Sequence, residues 1–225
     1  MTAPPAAPGP APAAAPHGPE PEAIYADHRS RSHALHLAMW IFLGSETLLF
    51  AGLFALYSAY RAEYAQDFAI AVHHNNAVIG TANTTILITS SFLVAWALYT
   101  LRHGRPRTTV LALCGAIVLG LSFLGLKTIE YRSHLAEGLG PGWYYASSEL
   151  PNVGSNAFFT LYYFMTSLHA IHVIAGITIL AWLALRVRRG RTTPARHTEL
   201  ELGGLYWHLV DIVWIFLWPL LYLTG

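Results

Sequence analysis

Residues 205–223 read LYWHLVDIVWIFLWPLLYL, and the only ionisable side chains among them besides two tyrosines are His208 and Asp211. At a rise of about 1.5 Å per residue, a helix of this length crosses the hydrocarbon core of a bilayer. A carboxylate at such a depth costs about 3 kcal/mol on insertion scales, so we expect Asp211 to have a polar partner. The stretch therefore predicts a membrane-spanning helix in which Asp211 contacts a polar group.

The composition of the whole chain agrees with a membrane protein. Hydrophobic residues make up 54% of the sequence and Asp, Glu, Lys and Arg only 11%, whereas charged residues are about 25% of a soluble domain. Alternation of period two is absent, and only helices satisfy the backbone of such apolar runs in lipid. The sequence thus predicts an all-α, polytopic bundle of five transmembrane helices. The apolar segments are Leu35–Tyr60, Val78–Leu101, Thr109–Tyr131, Ala157–Val187 and Gly203–Thr224.

The basic residues are distributed unequally between the two sides of this bundle. Ten of the thirteen Lys and Arg residues precede the first segment or lie in the loops after the second and fourth segments. Because basic loops stay in the cytoplasm, we expect a cytoplasmic N-terminus and a C-terminus outside the cell. The ten are Arg29, Arg31, Arg102, Arg105, Arg107, Arg186, Arg188, Arg189, Arg191 and Arg196.

The N-terminal region differs in composition from the rest. Residues 1 to about 21 are almost wholly Ala, Pro and Gly and lack the basic start of a signal peptide. We expect residues 1–30 to be a disordered cytoplasmic tail and residues 31–225 to form the transmembrane domain. The single cysteine, Cys114, falls inside the third segment and is expected to be a small buried side chain.

Glu46 lies about ten residues from either end of the first segment, near the bilayer centre. One interpretation is a proton-linked or partner-facing carboxyl. The other is a protonated acid that is hydrogen-bonded to a neighbouring helix, because desolvation disfavours the charged form. The sequence leaves both open.

His169 and His172 are spaced i, i+3 and share one face of the fourth segment. Haem or metal ligation is one hypothesis, but a haem held between helices needs histidines at matching depth on a second helix. The fifth segment offers only His208 and the first only His36, near its end. We therefore expect interhelical hydrogen bonds, with no metal site and no catalytic residue.

Two further groups of side chains stand out. Trp207, Asp211, Trp214 and Trp218 form a narrow stripe that is predicted to pack against a partner helix or a lipid chain. At the outer end of the third segment, Lys127, Glu130 and His134 predict a local ion-pair cluster at the membrane interface. Arg196, before the fifth segment, is placed to meet a lipid phosphate.

Several short motifs occur together in a fixed order. They are Ser45-Glu46, Asn83-Thr84, Glu130-Tyr131, Phe158-Phe159, the run from His169 to Gly176, His197 with Glu201, and the run from Tyr206 to Trp214. Together they resemble subunit III of the haem-copper respiratory oxidases, the cytochrome c oxidase subunit 3 family. Mitochondrial-type members have seven helices and this chain matches only the last five, which implies a short bacterial form.

The resemblance implies a non-catalytic subunit of a proton-pumping terminal oxidase that reduces O2 to water. Haem and copper would belong to partner subunits I and II, and this chain would carry no cofactor except bound phospholipid. It would pack on subunit I in the bacterial inner membrane and sustain proton uptake, with Glu46 as the proton-linked candidate. The candidate residues for lipid binding or subunit packing are Glu46, His169, His172, Arg196, His197, Trp207, His208 and Asp211.

Other functions compete with this one. Within the family, the chain could be subunit III of a quinol oxidase or an accessory protein of a nitric oxide reductase. A membrane cytochrome b is a different class, which the missing paired histidines argue against. A proton-coupled transporter using Glu46 and Asp211 is another, which the absence of a repeat or of discontinuous helices argues against.

Overall fold

The computed structural model describes residues 21–224, with side chains from residue 33 onward. Residues 1–20 of the predicted disordered tail lie outside this range. The first helix begins at Pro21, so residues 21–30 are helical and the helix starts before the predicted boundary at residue 31. Residues 21–38 belong to one unit of the described chain and residues from 39 to another, to which every contact below belongs.

Six α-helices account for most of the described chain. Five of them are long and apolar enough to span a membrane, which confirms the predicted helical bundle, and residues 21–224 contain no β-sheet. The helices are α1 (Pro21–Glu63), α2 (Ala65–Val72), α3 (Ala77–Arg102), α4 (Pro106–Ala136), α5 (Val153–Arg188) and α6 (Thr198–Tyr222), with a 3-10 turn at Gly142–Tyr144.

Local sequence signals set the ends of these helices. The Asn76 side chain caps α3 by accepting hydrogen bonds from the amides of Val78 and Ile79, at 3.0 and 3.2 Å. Helices α3 and α5 are each followed closely by a glycine with a left-handed backbone, Gly104 (φ 70°) after α3 and Gly190 (φ 68°) after α5. Because glycine has no Cβ, this conformation costs it little, and the chain reverses there within a few residues.

Helices α3 to α6 pack around one core in which α6 is central. The indole of Trp207, 1% exposed, lies against Gly120 of α4 and Gly176 of α5. A Cβ at Gly176 would be 2.6 Å from the Trp207 ring, so these helices approach closely because the site is a glycine. Cys114, by contrast, is exposed on α4, and the expectation that it is buried was wrong.

Helix α1 contacts α5 and α6 through its inner face. Tyr57 is fully buried, and its hydroxyl donates to the carbonyl of Leu220 at 2.8 Å. The outer face of α1 remains exposed, as at Leu48 (74% exposed). The short helix α2 joins the bundle through Phe68, whose ring meets Phe158 of α5 edge to face at 5.4 Å. α1 therefore presents an apolar surface outward.

Candidate functional site

Glu46 of α1 and His172 of α5 form a polar contact between two membrane-spanning helices. The distance between Glu46 Oε2 and His172 Nε2 is 2.9 Å, and both side chains are mostly buried. On its other side, the His172 ring has Nδ1 2.8 Å from the carbonyl oxygen of Leu168. Since a carbonyl oxygen only accepts, Nδ1 must carry a hydrogen.

This geometry fixes how Glu46 and His172 share protons. Nε2 either accepts a hydrogen bond from a protonated Glu46 or, in an imidazolium, donates to the carboxylate. In both cases one proton lies between Oε2 and Nε2, so the two groups are both neutral or both charged. The ring of Phe50 meets His172 edge-on at 5.3 Å, and the Tyr206 hydroxyl donates to the His172 carbonyl at 3.2 Å. The arrangement holds a proton and joins α1, α5 and α6.

A second polar cluster is buried among α4, α5 and α6. Lys127 Nζ donates to Glu130 Oε2 at 2.8 Å, to the Tyr162 hydroxyl at 2.8 Å and to the Tyr222 hydroxyl at 3.0 Å. The Tyr222 hydroxyl lies 2.7 and 2.9 Å from the two oxygens of Glu130. Lys127 is 3% exposed and Glu130 is 2% exposed. Each charge is therefore paired and hydrogen-bonded, as a buried ion pair requires.

The sequence predicted part of this cluster. Lys127 and Glu130 form the predicted ion pair, and both side chains are buried inside the bundle. His134 is buried as well, at 3% exposure, with its ring against Phe159 and Tyr162. Tyr162 and Tyr222 were not among the predicted residues, because nothing local in the sequence indicates that their hydroxyls converge on α4.

His169 lies in a different environment from His172, although both are on α5. It is fully buried, between the rings of Phe123 at 5.6 Å and Trp214 at 5.2 Å. Neither ring nitrogen has a hydrogen-bond partner within the described part of the chain. The sequence predicts interhelical hydrogen bonds for both histidines, and the structure places one at His172 and none at His169.

The tryptophan stripe of α6 packs against neighbouring helices of the bundle, which is one of the two predicted alternatives. Trp207 and Trp214 are buried, and Trp214 Nε1 donates to the Thr84 hydroxyl of α3 at 3.1 Å. The neighbouring His208 has Nδ1 2.6 Å from the Ser91 hydroxyl, also on α3. Asp211 is 6% exposed. The polar residues of α6 thus bind α6 to α3.

The partner that Asp211 needs is also on α3. Its carboxylate interacts with the Ser91 side chain, while its Oδ1 atom is buried and has no hydrogen-bond partner among residues 33–224. Ser91 therefore contacts both His208 and Asp211, the two ionisable side chains besides tyrosines in residues 205–223. Because one hydroxyl can donate only one hydrogen bond, this contact satisfies the carboxylate incompletely.

Ion pairs join the ends of α3, α5 and α6 beside the loop that precedes α6. Arg186 Nε lies 2.8 Å from Glu199 Oε2, and Arg102 pairs with Glu201. His197 Nε2 is 3.2 Å from Glu201. Arg196, which the sequence singles out for a lipid phosphate, is exposed. His197 and Arg196 are thus at the bundle end, far along α6 from Asp211.

The candidate residues do not converge on one reaction centre. Glu46 with His172, His169 with its two rings, and His208 with Ser91 are separate contacts on different helix pairs. Within the described range there is no group of three or more His, Cys, Asp or Glu side chains that could hold a metal ion. The contacts fasten helices to one another, and the Glu46–His172 contact can hold a proton.

The chain is similar in sequence to a known protein family and to several named proteins. The family described as cytochrome c oxidase subunit III matches residues 22–225. A Bacillus subtilis protein named cytochrome c oxidase subunit 3 is 32% identical over 84% of this chain and 86% of its own length. A Bacillus spizizenii quinol oxidase subunit 3 is 28% identical over 84% and 86%. An Aeropyrum pernix heme-copper oxidase subunit I+III is 29% identical over 83% of this chain and 22% of its own length.

Proposed function

Because the chain belongs to the cytochrome c oxidase subunit III family, we propose that it is a non-catalytic subunit of a proton-pumping haem-copper terminal oxidase. Such a complex reduces O2 to water in aerobic respiration. The observation that carries the proposal is the match over residues 22–225, which includes all five spans. Haem and copper would be held by subunits I and II.

The polar contacts support a structural rather than a catalytic role. Glu46 is occupied by His172, and Lys127 by Glu130 and two tyrosines. A catalytic group must reach a substrate, whereas these groups lie inside the bundle and reach each other. Their chemistry suits a subunit that must keep a fixed shape in the membrane.

We expect the chain to pack on subunit I. The Aeropyrum pernix relative is named subunit I+III, so in that protein the two subunits are joined. On this chain, α1 exposes apolar side chains such as Ile41 (67%) and Leu48 (74%) along its outer face. An apolar helix face can pack against another helix in the bilayer by van der Waals contact.

Bound phospholipid and a role in proton supply complete the proposal. Exposed basic residues such as Arg196 attract lipid phosphates near the membrane surface. The chain would shield the proton-entry side of subunit I and so sustain proton uptake through many turnovers. In a bacterial inner membrane the distribution of basic residues would place the N-terminus in the cytoplasm and the C-terminus outside.

The test is affinity purification of the tagged chain from its native membrane in mild detergent. We expect a large haem-bearing subunit to co-purify in equal amount, and the visible spectrum to belong to that subunit. Stoichiometric haem on the isolated chain that is lost in His169→Ala or His172→Ala would overturn the proposal and support a membrane cytochrome b.

A quinol oxidase is the second candidate, because one of the relatives described above is named quinol oxidase subunit 3. In either complex the electron donor would bind to another subunit, so the sequence of this chain does little to distinguish a cytochrome c oxidase from a quinol oxidase. The co-purified complex separates them directly: oxidation of reduced cytochrome c identifies the first candidate, and oxidation of a quinol with no cytochrome c activity identifies the second.

A further inference from the structure

A cavity of about 920 Å³ opens at the end of the bundle that carries most of the basic residues. It lies between the loop from α3 to α4 and the loop from α5 to α6. Its volume is typical of small-molecule sites, which measure about 300–1,000 Å³. The lining residues used below are Arg107, Val110, Leu111, Arg188 and Thr193. Arg107 and Arg188 are among the basic residues that predict the orientation of the bundle, and none of the five is among the candidate residues for lipid binding or subunit packing.

Two glycine-ended helices build the mouth of this cavity. Gly104 and Gly190 both have left-handed backbones and both line it. The reversal at Gly104 brings Arg107 into the first turn of α4, and the reversal at Gly190 follows directly after Arg188 in the last turn of α5. Arg107 and Arg188 therefore line one cavity although they come from different helices.

The cavity is positively charged and has no acidic residue in its lining. The nearby acids are engaged elsewhere, Glu199 by Arg186 and Glu201 by Arg102. Neither Arg107 nor Arg188 has an ion pair with another residue of the described chain. Two unpaired arginines at one cavity form a site for an anion with several acceptor oxygens.

The deeper wall of the cavity is apolar. Val110 and Leu111 lie three and four residues beyond Arg107 on α4, about 5–6 Å further along the helix axis. Leu111 is 73% exposed, so this wall opens at the side of the bundle. Charge and apolar surface thus follow each other along the membrane normal, as they do in a phospholipid from its phosphate to its acyl chains.

We propose that this cavity binds one anionic phospholipid, with its phosphate between Arg107 and Arg188 and an acyl chain along Val110 and Leu111. The Thr193 hydroxyl at the rim is available to the headgroup. The inference deepens the proposed function and rests on it for the placement of this end at the membrane surface. It assigns a site separate from Arg196, which does not line the cavity.

The experiment is native mass spectrometry of the intact, delipidated oxidase complex titrated with phosphatidylglycerol or phosphatidylcholine. The test variant is Arg107→Gln/Arg188→Gln. The matched control is Arg105→Gln/Arg191→Gln, which removes the same charge from exposed residues outside the cavity. A second variant, Val110→Trp, fills the apolar wall and leaves both arginines in place.

We expect one phosphatidylglycerol to bind tightly to the complex, and phosphatidylcholine to bind at least about tenfold more weakly, since each basic residue near an anionic lipid contributes about 1 kcal/mol. The test variant and Val110→Trp should both lose that lipid, and the control should keep it. Displacement of the lipid by millimolar inorganic phosphate would identify a free-phosphate site and overturn the proposal.

Other outcomes also decide the matter. An unchanged lipid count in the test variant would overturn the site, as would loss of a partner subunit without loss of lipid, which would identify an acidic protein segment as the occupant. In either case the proposed function stands if the chain still co-purifies with the haem-bearing subunit. If no such subunit co-purifies with the wild-type chain, the proposed function fails separately from the lipid result.

Discussion

Glu46 Oε2 and His172 Nε2 lie 2.9 Å apart although 126 residues separate them in the chain. The contact joins α1 to α5, and both side chains are mostly buried. Because His172 Nδ1 donates to Leu168, the two side chains share a single proton between them. The contact between Glu46 and His172 therefore both joins α1 to α5 and holds a proton.

Glu46→Ala should weaken the attachment of α1. It leaves His172 Nε2 without its partner, at a cost of about 1–3 kcal/mol. Glu46→Gln should cost less, because the amide can donate to Nε2 while Nδ1 still donates to Leu168. The measurement is the thermal stability of the purified complex by differential scanning fluorimetry.

The control for this pair is Glu149→Ala, since the Glu149 side chain is 84% exposed and its removal should change stability by less than about 0.5 kcal/mol. Equal destabilisation by Glu46→Ala and Glu46→Gln would show that the hydrogen bond to His172 is not what holds α1.

Lys127→Met should be among the most damaging single changes in the bundle. It removes three hydrogen bonds and leaves Glu130 buried without its counter-charge, which typically costs about 3–5 kcal/mol. Adding Glu130→Gln should recover part of the loss, because the second substitution removes the unpaired charge. The measurement is the amount of chain in the membrane and its melting temperature.

Arg132→Met is the matched control, since Arg132 is an exposed cation on the same helix. If Lys127→Met and Arg132→Met behaved alike, the buried ion pair would have no structural role.

Gly176→Ala should disturb the contact between α5 and α6. The new methyl group would lie 2.6 Å from Cε3 of Trp207, a buried ring with little freedom to move. We expect a loss of about 1–3 kcal/mol. Gly125→Ala is the control, because nothing lies within 4 Å of its Cβ position, and alanine there should be neutral or stabilising by up to about 1 kcal/mol. A stabilising Gly176→Ala would contradict the close packing.

The sequence predicted the five spans because hydrocarbon thickness sets the length of an apolar helix regardless of its neighbours. It did not predict α2, since Ala65–Val72 is too short for its periodicity to be recognised. It predicted the ion pair of Lys127 with Glu130 but not the Tyr162 and Tyr222 hydroxyls that complete the cluster. Depth along a helix can be counted from a sequence, but the direction that a side chain faces depends on which helices pack there.

The partners of the candidate residues are the part that the sequence left open. Glu46 was recognised as an unusual carboxyl, and a hydrogen bond to another helix was one of two interpretations. Which residue supplies it depends on the packing of α1 against α5, which no local pattern encodes. Likewise, the unsatisfied ring nitrogens of His169 follow from its position between Phe123 and Trp214.

We expect the ten basic residues on one side of the bundle to set its orientation in the membrane. Alkaline phosphatase fused after residue 225 should be active, because the enzyme folds only outside the cytoplasm, and a fusion within residues 189–197 should be inactive. The opposite pattern would show that the chain is inserted the other way round, with the arginine-lined cavity facing outward.

We propose that this chain sustains an oxidase without taking part in its chemistry, and turnover of the complex with and without the chain tests this most directly. Oxygen consumption and the visible spectrum should be followed together over many turnovers. We expect the complex without the chain to start near the full rate with an unchanged haem spectrum and then to inactivate progressively, as proton supply falls behind. An immediate loss of all activity with an altered haem spectrum would contradict the account and show a direct catalytic role.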